Sequence, residues 1–570
     1  MRSTAGTGKD PMPNKDTPEL VFLPLGGCGE IGMNLNAYGY GPAHDRRWIL
    51  VDLGVTFGDD TTPGIDLITP DPEFIVEHAD QIDAIFLTHA HEDHIGAVGL
   101  LWPRLRAPLY ATPFTAHLVA GKLAERGLKH VDVNVVPLEG EVEAGPFKVR
   151  YMTLTHSIPE PNALAIETPV GTILHTGDWK IDPDPLIGEG VDIDGLKKLG
   201  DEGVLAMICD STNVFVDGES GSEATVRKNL IELIGGLKGR VAVATFASNV
   251  ARVSTVIEAA RQAGRSVCLA GRSMHKIVDA AVQTGVLKNL PDLVNEADVG
   301  SFPADNILIL CTGSQGEERA ALGRIAANTH RHVSLGAGDT VIFSSRVIPG
   351  NEKGIFEMQN ALAEKGVRII TDRMTKDVIH VSGHPARDEL ERMYQWVRPR
   401  ISVPVHGERR HIVEHAGFAR SMQVPEAVTP RNGDMIRLAP GKAEVIDTVP
   451  HGRLHLDGNR LVPAGSEGLK ERIAISKFGY VSASVSFDET GSIADGPYLA
   501  VRGMSEEDGS LADESVDAIE AACDEALDGL SRKKRLDDDA VETTLVRAIR
   551  KACERTFGRK PLVDVMVMRV

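Results

Sequence analysis

The chain alternates short apolar runs with segments of helical spacing through most of its length. In one such segment, Phe114–Arg126, apolar residues recur about every 3.6 positions, as on one face of a helix. The apolar runs are typical of buried strands, and they are Trp48–Val51, Ile82–Leu87, Thr172–Leu174, Val204–Ile208 and Ile307–Leu310. Strands that alternate with helices predict an α/β fold whose sheets are covered by helices.

The C-terminal part has a pattern of its own. Tyr480–Phe487 alternates apolar residues with Ser at a period of two, which predicts a strand with one buried face. Val541–Phe557 has helical spacing, and Leu562–Val570 is typical of a closing strand. We therefore predict a small separate α/β domain over residues 471–570, preceded by a linker, residues 451–470, that contains Gly and Pro.

The N-terminal residues bear on the location of the protein. Residues 1–17 are polar, rich in Gly, Pro and Lys, and lack the apolar core of a signal peptide. We therefore expect a disordered tail on a cytoplasmic protein. No apolar run approaches the roughly 20 residues that span a bilayer, so we expect no membrane association.

Length, charge and cysteine usage narrow the function classes. The 570 residues exceed a single small module and predict more than one domain. The 81 acidic and 61 basic side chains give a formal net charge of −20, which argues against a protein that coats nucleic acid by bulk attraction. The six cysteines form no CxxC pair, which favours buried free thiols in a reducing compartment over disulfides or a sulfur-ligated metal.

The strongest chemical signal is the sequence THAHEDH at residues 88–94, directly after a predicted strand. Alternation places His89 and His91 on one side of an extended loop. Asp93 and His94 turn to a second side as the chain enters a helix, so one loop can supply two metal ions. Imidazole and carboxylate groups without thiolate suit Zn²⁺ or Mn²⁺. The alternative explanation is a polar surface loop that happens to hold histidines.

Further acid–base or metal-competent residues follow other predicted strands, namely His156, Asp178, Asp210 and His406. The carboxyl ends of strands in α/β sheets form the crevice in which ligands bind. Each residue alone could be a hydrogen-bonded structural His or a turn-capping Asp, but their recurrence favours one shared site. Asp52 also ends a strand. It is either a turn acid or a carboxylate that orients a ligand His or a metal-bound water.

These residues resemble a known superfamily. HAHEDH, with His156, Asp178 and His406, resembles the metallo-β-lactamase superfamily. The long insertion between CDSTN and HVSGH is similar to that of the β-CASP nucleases, whose motifs match Asp210, His384 and His406. In that group a His at the position of His406 accompanies RNA-processing members.

Seven shorter motifs resemble the bacterial ribonuclease J family, over about Pro18 to the C-terminus. They are LGGCGEIGMN (Leu25–Asn34), DLGVTFGDD (Asp52–Asp60), GRSM (Gly271–Met274), TGSQGE (Thr312–Glu317), IPGNE (Ile348–Glu352), HVSGH (His380–His384) and PVHGE (Pro404–Glu408). The resemblance implies a metallo-β-lactamase αββα sandwich with an inserted α/β β-CASP domain and a small C-terminal α/β domain. It implies a lactamase part at residues 18–212, the insert at 213–378 and a return segment at 379–450.

The resemblance also implies an activity and partners. The activity would be 5′-to-3′ exonuclease and endonuclease cleavage of single-stranded RNA, with a preference for 5′-monophosphate ends, in mRNA decay and in the maturation of rRNA and other RNAs. The protein would form a homodimer or homotetramer and could work with RNA-decay partners such as a helicase.

The implied mechanism is a hydrolysis with two divalent metal ions per subunit. Zn²⁺ is the expected ion, and Mn²⁺ and Mg²⁺ are the alternatives. The expected ligands are His89, His91 and His156 for one ion, Asp93, His94 and His406 for the other, and Asp178 as the bridge. Asp93 is also a candidate base. His384 would stabilise developing charge or protonate the departing 3′ oxygen, and Asp210 would position His384 or a ligand His.

Several residues are candidates for contact with the 5′ end of the RNA. They are His380, Val381, Ser382, Gly383, His384, Ser314, Gln315, Gly316, Arg272, Arg346 and Phe57. Ser hydroxyls and Gly N–H groups can approach phosphate oxygens closely, although the segment around Gln315 could also be an ordinary turn. The two arginines could be phosphate clamps or surface ion pairs, and Phe57 could stack a base or belong to the core.

Other functions predict different features. A small-molecule hydrolase of the same fold would have a short loop where this chain has the insert. A catalytically inactive RNA-binding scaffold subunit would lack metal ligands, and a DNA-directed β-CASP nuclease differs in its substrate. Within the insert, the segment Asn213–Asp377 is nearly neutral, with 19 basic and 18 acidic side chains. We expect RNA to pass between the insert and the lactamase part.

Overall fold

The computed structural model describes residues 16–506 and 509–570, so residues 1–15 of the predicted tail lie outside the described residues. The chain forms two compact units. The first contains residues 69–452 and the residues up to 56, and the second contains residues 57–68 and 453–570.

The first unit contains two mixed sheets that face each other. The eight strands of the first sheet are, in spatial order, Glu444–Thr448, Asp434–Ala439, Glu19–Gly26, Leu35–Gly41, Arg47–Val51, Ile82–Phe86, Leu109–Ala111 and Val133–Val135. The seven strands of the second are Glu141–Ala144, Phe147–Thr153, Asn162–Thr168, Gly171–His175, Val204–Asp210, Ile401–Val405 and Glu426–Ala427.

One apolar core joins the two sheets. Phe22 and Phe86 of the first sheet pack in the same buried cluster as Tyr151, Ile173 and Ile208 of the second. Each fully buried side chain of this size contributes about 1.5–3 kcal/mol to folding. The two inner faces therefore account for the sandwich that the family resemblance implies.

Helices cover the outer faces of this sandwich. They are Glu73–Val76, Glu92–Ile95, Val98–Leu105, Pro113–Glu125, Ile193–Glu202, Arg387–Val397 and Arg409–Ser421, with the 3₁₀ turn Ala79–Gln81. Leu196 and Leu199 of one helix and Leu390 and Met393 of another pack against the second sheet. This explains why the strand Val204–Asp210 is buried along its whole length.

The insert forms its own five-stranded parallel sheet. Its strands, in spatial order, are Ser266–Ala270, Ile307–Cys311, Val241–Ala244, Thr340–Phe343 and Arg368–Ile370. Its helices are Glu223–Gly235, Val250–Gln262, Arg272–Gln283, Ala321–Ala326 and Glu352–Glu364, with 3₁₀ turns at Glu296–Ser301 and Ala304–Asn306. A separate apolar cluster, with Ile309, Leu322 and Leu362 among its members, lies between this sheet and its helices.

The second unit has a three-stranded sheet in which Tyr480–Phe487 is central. It pairs antiparallel with Ile493–Arg502 and parallel with Leu562–Arg569. Its helices are Glu467–Phe478, Asp513–Asp528, Arg532–Arg535 and Asp538–Phe557. Within the predicted linker, the strands Arg453–Asp457 and Arg460–Pro463 form a hairpin. The predicted domain boundaries stay predictions.

The remaining strands are short, and they are Cys28–Gly29, Thr56–Phe57, Leu67–Pro70 and Gly407–Glu408. All six cysteines are free and buried. Among the described residues, no helix combines the length and the apolar composition that a bilayer crossing requires.

Candidate metal centre and active site

The ends of parallel strands bring the candidate residues together. In the first sheet, Arg47–Val51 runs parallel to Ile82–Phe86, and Asp52 and His89 follow these two strands. In the second sheet, Gly171–His175, Val204–Asp210 and Ile401–Val405 are parallel neighbours. Asp178, Asp210 and His406 stand at or just beyond the ends of these strands. Parallel strands end at the same edge of a sheet, so the residues that follow these strands are brought together at that edge.

His89, His91, His156 and Asp178 form a group that we call the first cluster, with ligand atoms within 4.8 Å of one another. Nδ1 of His91 lies 3.2 Å from Nε2 of His89 and 3.1 Å from Nε2 of His156. Asp178 Oδ2 lies 4.0 Å from Nε2 of both His89 and His156. Three ring nitrogens thus converge beside one carboxylate.

Asp93, His94, Asp178 and His406 form the second cluster. Asp178 Oδ2 lies 3.2 Å from Nε2 of His94 and 3.4 Å from Nε2 of His406. Asp93 Oδ2 lies 3.5 Å and 3.7 Å from the same two nitrogens. Since Asp178 belongs to both clusters, its carboxylate stands where a bridging ligand would stand.

The third cluster joins Asp178 and His406 to Asp210 and His384. Asp210 Oδ2 lies 2.8 Å from Nδ1 of His384, which is itself 3.9 Å from Asp178 Oδ2. Burial alone would lower the pKa of His384, but Asp210 outweighs it and raises the pKa to about 9. His384 is therefore a cation near neutral pH, beside the metal-competent groups.

The donor set fits metal ions. Asp178 Oδ1 is buried and has no hydrogen-bond partner among the described residues, although buried polar atoms are normally paired. Burial lowers the pKa of His91 to about 4, and it lowers the pKa values of His89 and His156 well below their ordinary value. These imidazoles are therefore neutral, with lone pairs available to a cation.

The second cluster carries more negative charge. Burial alone would lower the pKa of His94, but the carboxylates of Asp178 and Asp93 outweigh it and raise the pKa well above its ordinary value. Burial alone would raise the pKa of Asp93, yet His94 holds it well below its usual range. His94 and Asp93 therefore stabilise each other's ionised forms. A divalent ion bound here would replace the proton on His94.

Four sequence profiles of known families match this chain. The metallo-beta-lactamase superfamily matches residues 35–196, and the beta-CASP domain of ribonuclease J matches residues 238–362. The Zn-dependent metallo-hydrolase RNA specificity domain matches residues 372–421, and the ribonuclease J C-terminal domain matches residues 468–570. The first of these matches contains His89 to Asp178, and the third contains His384 and His406.

Full-length relatives agree with these profiles. A protein of Sinorhizobium meliloti named Ribonuclease J is 45% identical over 556 residues, which cover 97% of this chain and 98% of the relative. The chain belongs to the ribonuclease J family. Proteins of the same name from Mycolicibacterium smegmatis and Thermus thermophilus are 38% and 35% identical, covering 97% and 96% of this chain and 97% and 95% of the relatives. The family predicted from the motifs is confirmed, and with it the fold class and a metallo-hydrolase of the ribonuclease class.

The segment His380–His384 lies against the candidate metal ligands of this chain. The carbonyl oxygen of Gly383 accepts a hydrogen bond from Nδ1 of His156, and a Cβ atom at position 383 would lie 2.7 Å from that ring. Ser382 Oγ accepts hydrogen bonds from Asn213 Nδ2 at 2.8 Å and from the His384 amide at 3.2 Å. Val381 is buried.

Cations surround the start of this segment. Burial, together with the positive charges of Arg252 and Arg346, lowers the pKa of His380 well below its ordinary value. Nδ1 of His380 is buried and has no hydrogen-bond partner among the described residues. Arg346 is exposed, so its guanidinium group is open to an anionic ligand.

The other predicted RNA contacts are placed differently. Gln315 uses its side chain within the insert, donating to the Arg346 carbonyl at 2.9 Å and accepting from the Ile348 amide at 3.0 Å. The neighbours Ser314 and Gly316 belong to the same turn, and Ser314 is buried. Arg272 is exposed at the start of the helix Arg272–Gln283.

Phe57 is 63% exposed and lies in the second unit, whereas the three clusters lie in the first. It is therefore no core residue. Its predicted stacking on an RNA base stays a prediction.

Several contacts in the site were not predicted from the sequence. Asn34 Oδ1 accepts from Nδ1 of His406 at 3.1 Å, and Nε2 of His91 lies 3.1 Å from Ser248 Oγ. Asn34 is the last residue of the motif LGGCGEIGMN, and its place in a family motif could have identified it as a site residue. Ser248 lies in the insert and has no local pattern that marks it.

Proposed function

We propose that this ribonuclease J chain is a two-metal phosphodiesterase that degrades single-stranded RNA from 5′-monophosphate ends and also cleaves internally. One observation carries the proposal: six metal-competent side chains converge on a seventh, Asp178, whose Oδ1 is buried and unpaired among the described residues, with His384 beside it. An inactive scaffold subunit would have no use for a complete set of ligands. A small-molecule hydrolase would have no use for the insert.

The two ions would be held by the first and second clusters, with Asp178 shared. The His-rich first cluster suits Zn²⁺, and the two carboxylates of the second cluster would also accept Mn²⁺ or Mg²⁺. When bound, the ions supply an activated water and neutralise charge on the scissile phosphate.

The protein's own side chains would position the reaction and move protons. Asp93 faces the second cluster and is ionised, so it can accept a proton from the attacking water. Asp210 favours the protonated form of His384 by raising its pKa, so His384 is the candidate to stabilise charge on the phosphate or donate a proton to the departing 3′ oxygen. Asp210 holds the His384 ring through Nδ1, which leaves Nε2 to face the substrate.

The 5′-monophosphate would bind beside the segment His380–His384. Ser382 provides a hydroxyl group next to the metal ligands, and Arg346 provides positive charge near His380. A triphosphate brings more charge and length to this segment than a monophosphate, and we attribute the proposed preference for the shorter end to that difference. Arg272, exposed at a helix start, is a second phosphate clamp in this proposal.

The proposed cellular role is mRNA decay and the maturation of rRNA and other RNAs in the cytoplasm. Six buried free thiols suit a reducing compartment. The homodimer or homotetramer and a helicase partner stay predictions from the family.

The test uses RNAs with 5′-monophosphate or 5′-triphosphate ends, labelled at either end, and DNA of equal sequence. We expect mononucleotides to be released from monophosphate RNA by the native chain and not by His91→Ala or His384→Ala. Equal cleavage of DNA would favour the DNA-directed alternative. No cleavage of RNA by the metal-replete native chain would refute the proposal.

A further inference from the structure

The two proposed ion sites differ in which part of the chain provides the hydrogen-bond acceptors for their ligand histidines. A metal-bound His normally donates its second ring N–H to an acceptor that fixes its tautomer and orientation. In the second cluster those acceptors come from the lactamase part. His94 faces Asp52 through Nδ1, with 2.7 Å to Oδ2, and His406 faces Asn34 through Nδ1, with 3.1 Å to Oδ1.

The first cluster is supported from elsewhere. His91 directs Nδ1 at the cluster, so its other nitrogen, Nε2, carries the proton when Nδ1 binds a cation. That nitrogen lies 3.1 Å from Oγ of Ser248, a residue of the insert. His156 donates from Nδ1 to the carbonyl oxygen of Gly383, in the segment by which the chain leaves the insert. Only His89 has its acceptor, Thr88 Oγ1, in the lactamase part, at 3.0 Å.

A buried ion pair connects Ser248 with the segment that contains Gly383. Ser248 precedes Asn249, whose side chain caps the helix Val250–Gln262 and donates to Glu223 at 3.0 Å. Glu223 forms two hydrogen bonds with the fully buried Arg252, at 2.9 and 3.0 Å. Arg252 in turn donates to the carbonyl oxygens of Ser344 and Ile379, at 2.9 and 3.2 Å.

Ile379 immediately precedes His380–His384, so the network closes a ring. It runs from His91 through Ser248, Glu223 and Arg252 to the segment that carries Gly383, and from there to His156. The same network reaches the lactamase part, since the Glu223 amide donates to Asp182 at 3.0 Å. The position of the insert is thus coupled to two of the three imidazoles of the first cluster.

We propose that Ser248 is a positioning residue for His91, so that the insert completes the first ion site while the second ion site is complete without it. The proposal rests on the proposed two-ion function. It assigns to the insert a role in metal binding in addition to its contribution to the RNA path. Whatever displaces the insert would loosen one ion and leave the other.

The test compares Ser248→Ala, Ser248→Thr and Asp52→Asn in the full-length chain. Metal-free protein is titrated with Zn²⁺ alone in competition with a chromophoric chelator, and Co²⁺ spectra give a second readout of each site. Loss of a partner behind a ligand His typically costs about 10- to 100-fold in metal affinity. We expect Ser248→Ala to weaken one binding step by that factor and to leave the other within about twofold of the native value.

Ser248→Thr keeps the hydroxyl group and should restore the weakened step. Asp52→Asn should weaken the other step most, with a smaller change in the first step, because Asp52 also accepts a hydrogen bond from Thr88 Oγ1, the acceptor of His89. The Co²⁺ spectra of Ser248→Ala and Asp52→Asn should therefore differ. Ser273→Ala, at an exposed position of the insert, serves as the control.

The outcomes separate the two proposals. If the native chain binds fewer than two ions, the proposed two-ion function fails. If it binds two and Ser248→Ala changes neither step, weakens both equally, or alters only the KM for RNA, the positioning role of Ser248 is wrong. Far-UV circular dichroism of each variant identifies any general loss of folding.

Discussion

Oδ2 of Asp52 lies 2.7 Å from Nδ1 of His94, and both side chains are buried. This contact fixes which nitrogen of His94 faces Asp178, because Nδ1 points at Asp52 and Nε2 therefore points into the second cluster. Asp52 itself takes a left-handed backbone conformation, with φ at 65°. That conformation is uncommon for a residue other than Gly and turns the carboxylate back toward the site.

Asp52→Asn should therefore reduce activity mainly through metal occupancy. An amide can present N–H to His94 and favour the wrong tautomer, so we expect about a 10- to 100-fold loss of metal affinity. The measurement is metal content at limiting free Zn²⁺, together with the rate of RNA cleavage at saturating Zn²⁺. Asp45→Asn, in an exposed turn, is the control. Full occupancy in Asp52→Asn would contradict the assignment.

Gly383→Ala should damage the first cluster without changing any polar side chain. A Cβ atom there would lie 2.7 Å from Cε1 of His156 and 2.7 Å from Oγ of Ser157, closer than side-chain carbons normally approach. We expect His156 to be displaced, with loss of one ion and at least a tenfold lower rate. Metal analysis and single-turnover cleavage measure this.

Gly417→Ala is the matched control for this prediction. It lies in the helix Arg409–Ser421, and an added Cβ meets no atom within 4 Å. Since Ala is the better helix former, this variant should keep full activity and be slightly more stable. A similar loss of activity in both variants would show that position 383 has no special role.

Asp210→Asn should lower the rate while the ions stay bound. Asp210 faces His384 directly and accepts hydrogen bonds from both the amide and the hydroxyl of Thr212. Because general acid–base catalysis contributes about 10²- to 10⁴-fold, a disoriented His384 should lower kcat within that range. The assay compares kcat with metal content. Asp217→Asn, an exposed neighbour, should behave as the native chain, and loss of metal in Asp210→Asn would argue for a ligand role instead.

The ion pair of Glu223 with Arg252 should make stability depend on pH. Burial alone would raise the pKa of Glu223, but Arg252 outweighs it and lowers the pKa below the ordinary value of 4.5. A lowered pKa in the folded state stabilises the protein above the ordinary pKa, and that contribution is lost as the pH falls below it. At pH 7, Glu223→Gln should cost about 3–5 kcal/mol, because it leaves Arg252 buried without its partner.

Denaturant unfolding at pH 7 and at several values below 4.5 measures this effect. The difference in unfolding free energy between Glu223→Gln and the native chain should shrink as the pH falls, since the native Glu223 becomes protonated. Glu258→Gln breaks an exposed ion pair with Arg261 and should change stability little at any pH. A difference that stays constant with pH would rule out the ionised pair as the source.

Local patterns predicted the strands and the residues at their ends. Tyr480–Phe487 has the predicted bounds, and Ile82–Phe86 ends one residue before the predicted run. The seven ligand candidates could be found because each follows an apolar run, and a run of that kind marks the strand end where α/β sites form.

Contacts between distant segments could not be predicted in this way. Asn34 and His406 are 372 positions apart, and His91 and Ser248 are 157 apart. A single polar residue in a loop has no periodicity that identifies its partner. The hydrogen bonds of Gln315 within the insert likewise depend on how two loops pack, which its sequence neighbours do not specify.

Asp178 belongs to all three clusters, so each cluster depends on this one side chain. Replacing it would remove a carboxylate from both proposed ion sites and a neighbour from His384 in one step, and it would change no other residue of the three clusters. Under the proposed function, an Asp178 variant should therefore lose cleavage while it keeps the segment His380–His384 beside the site.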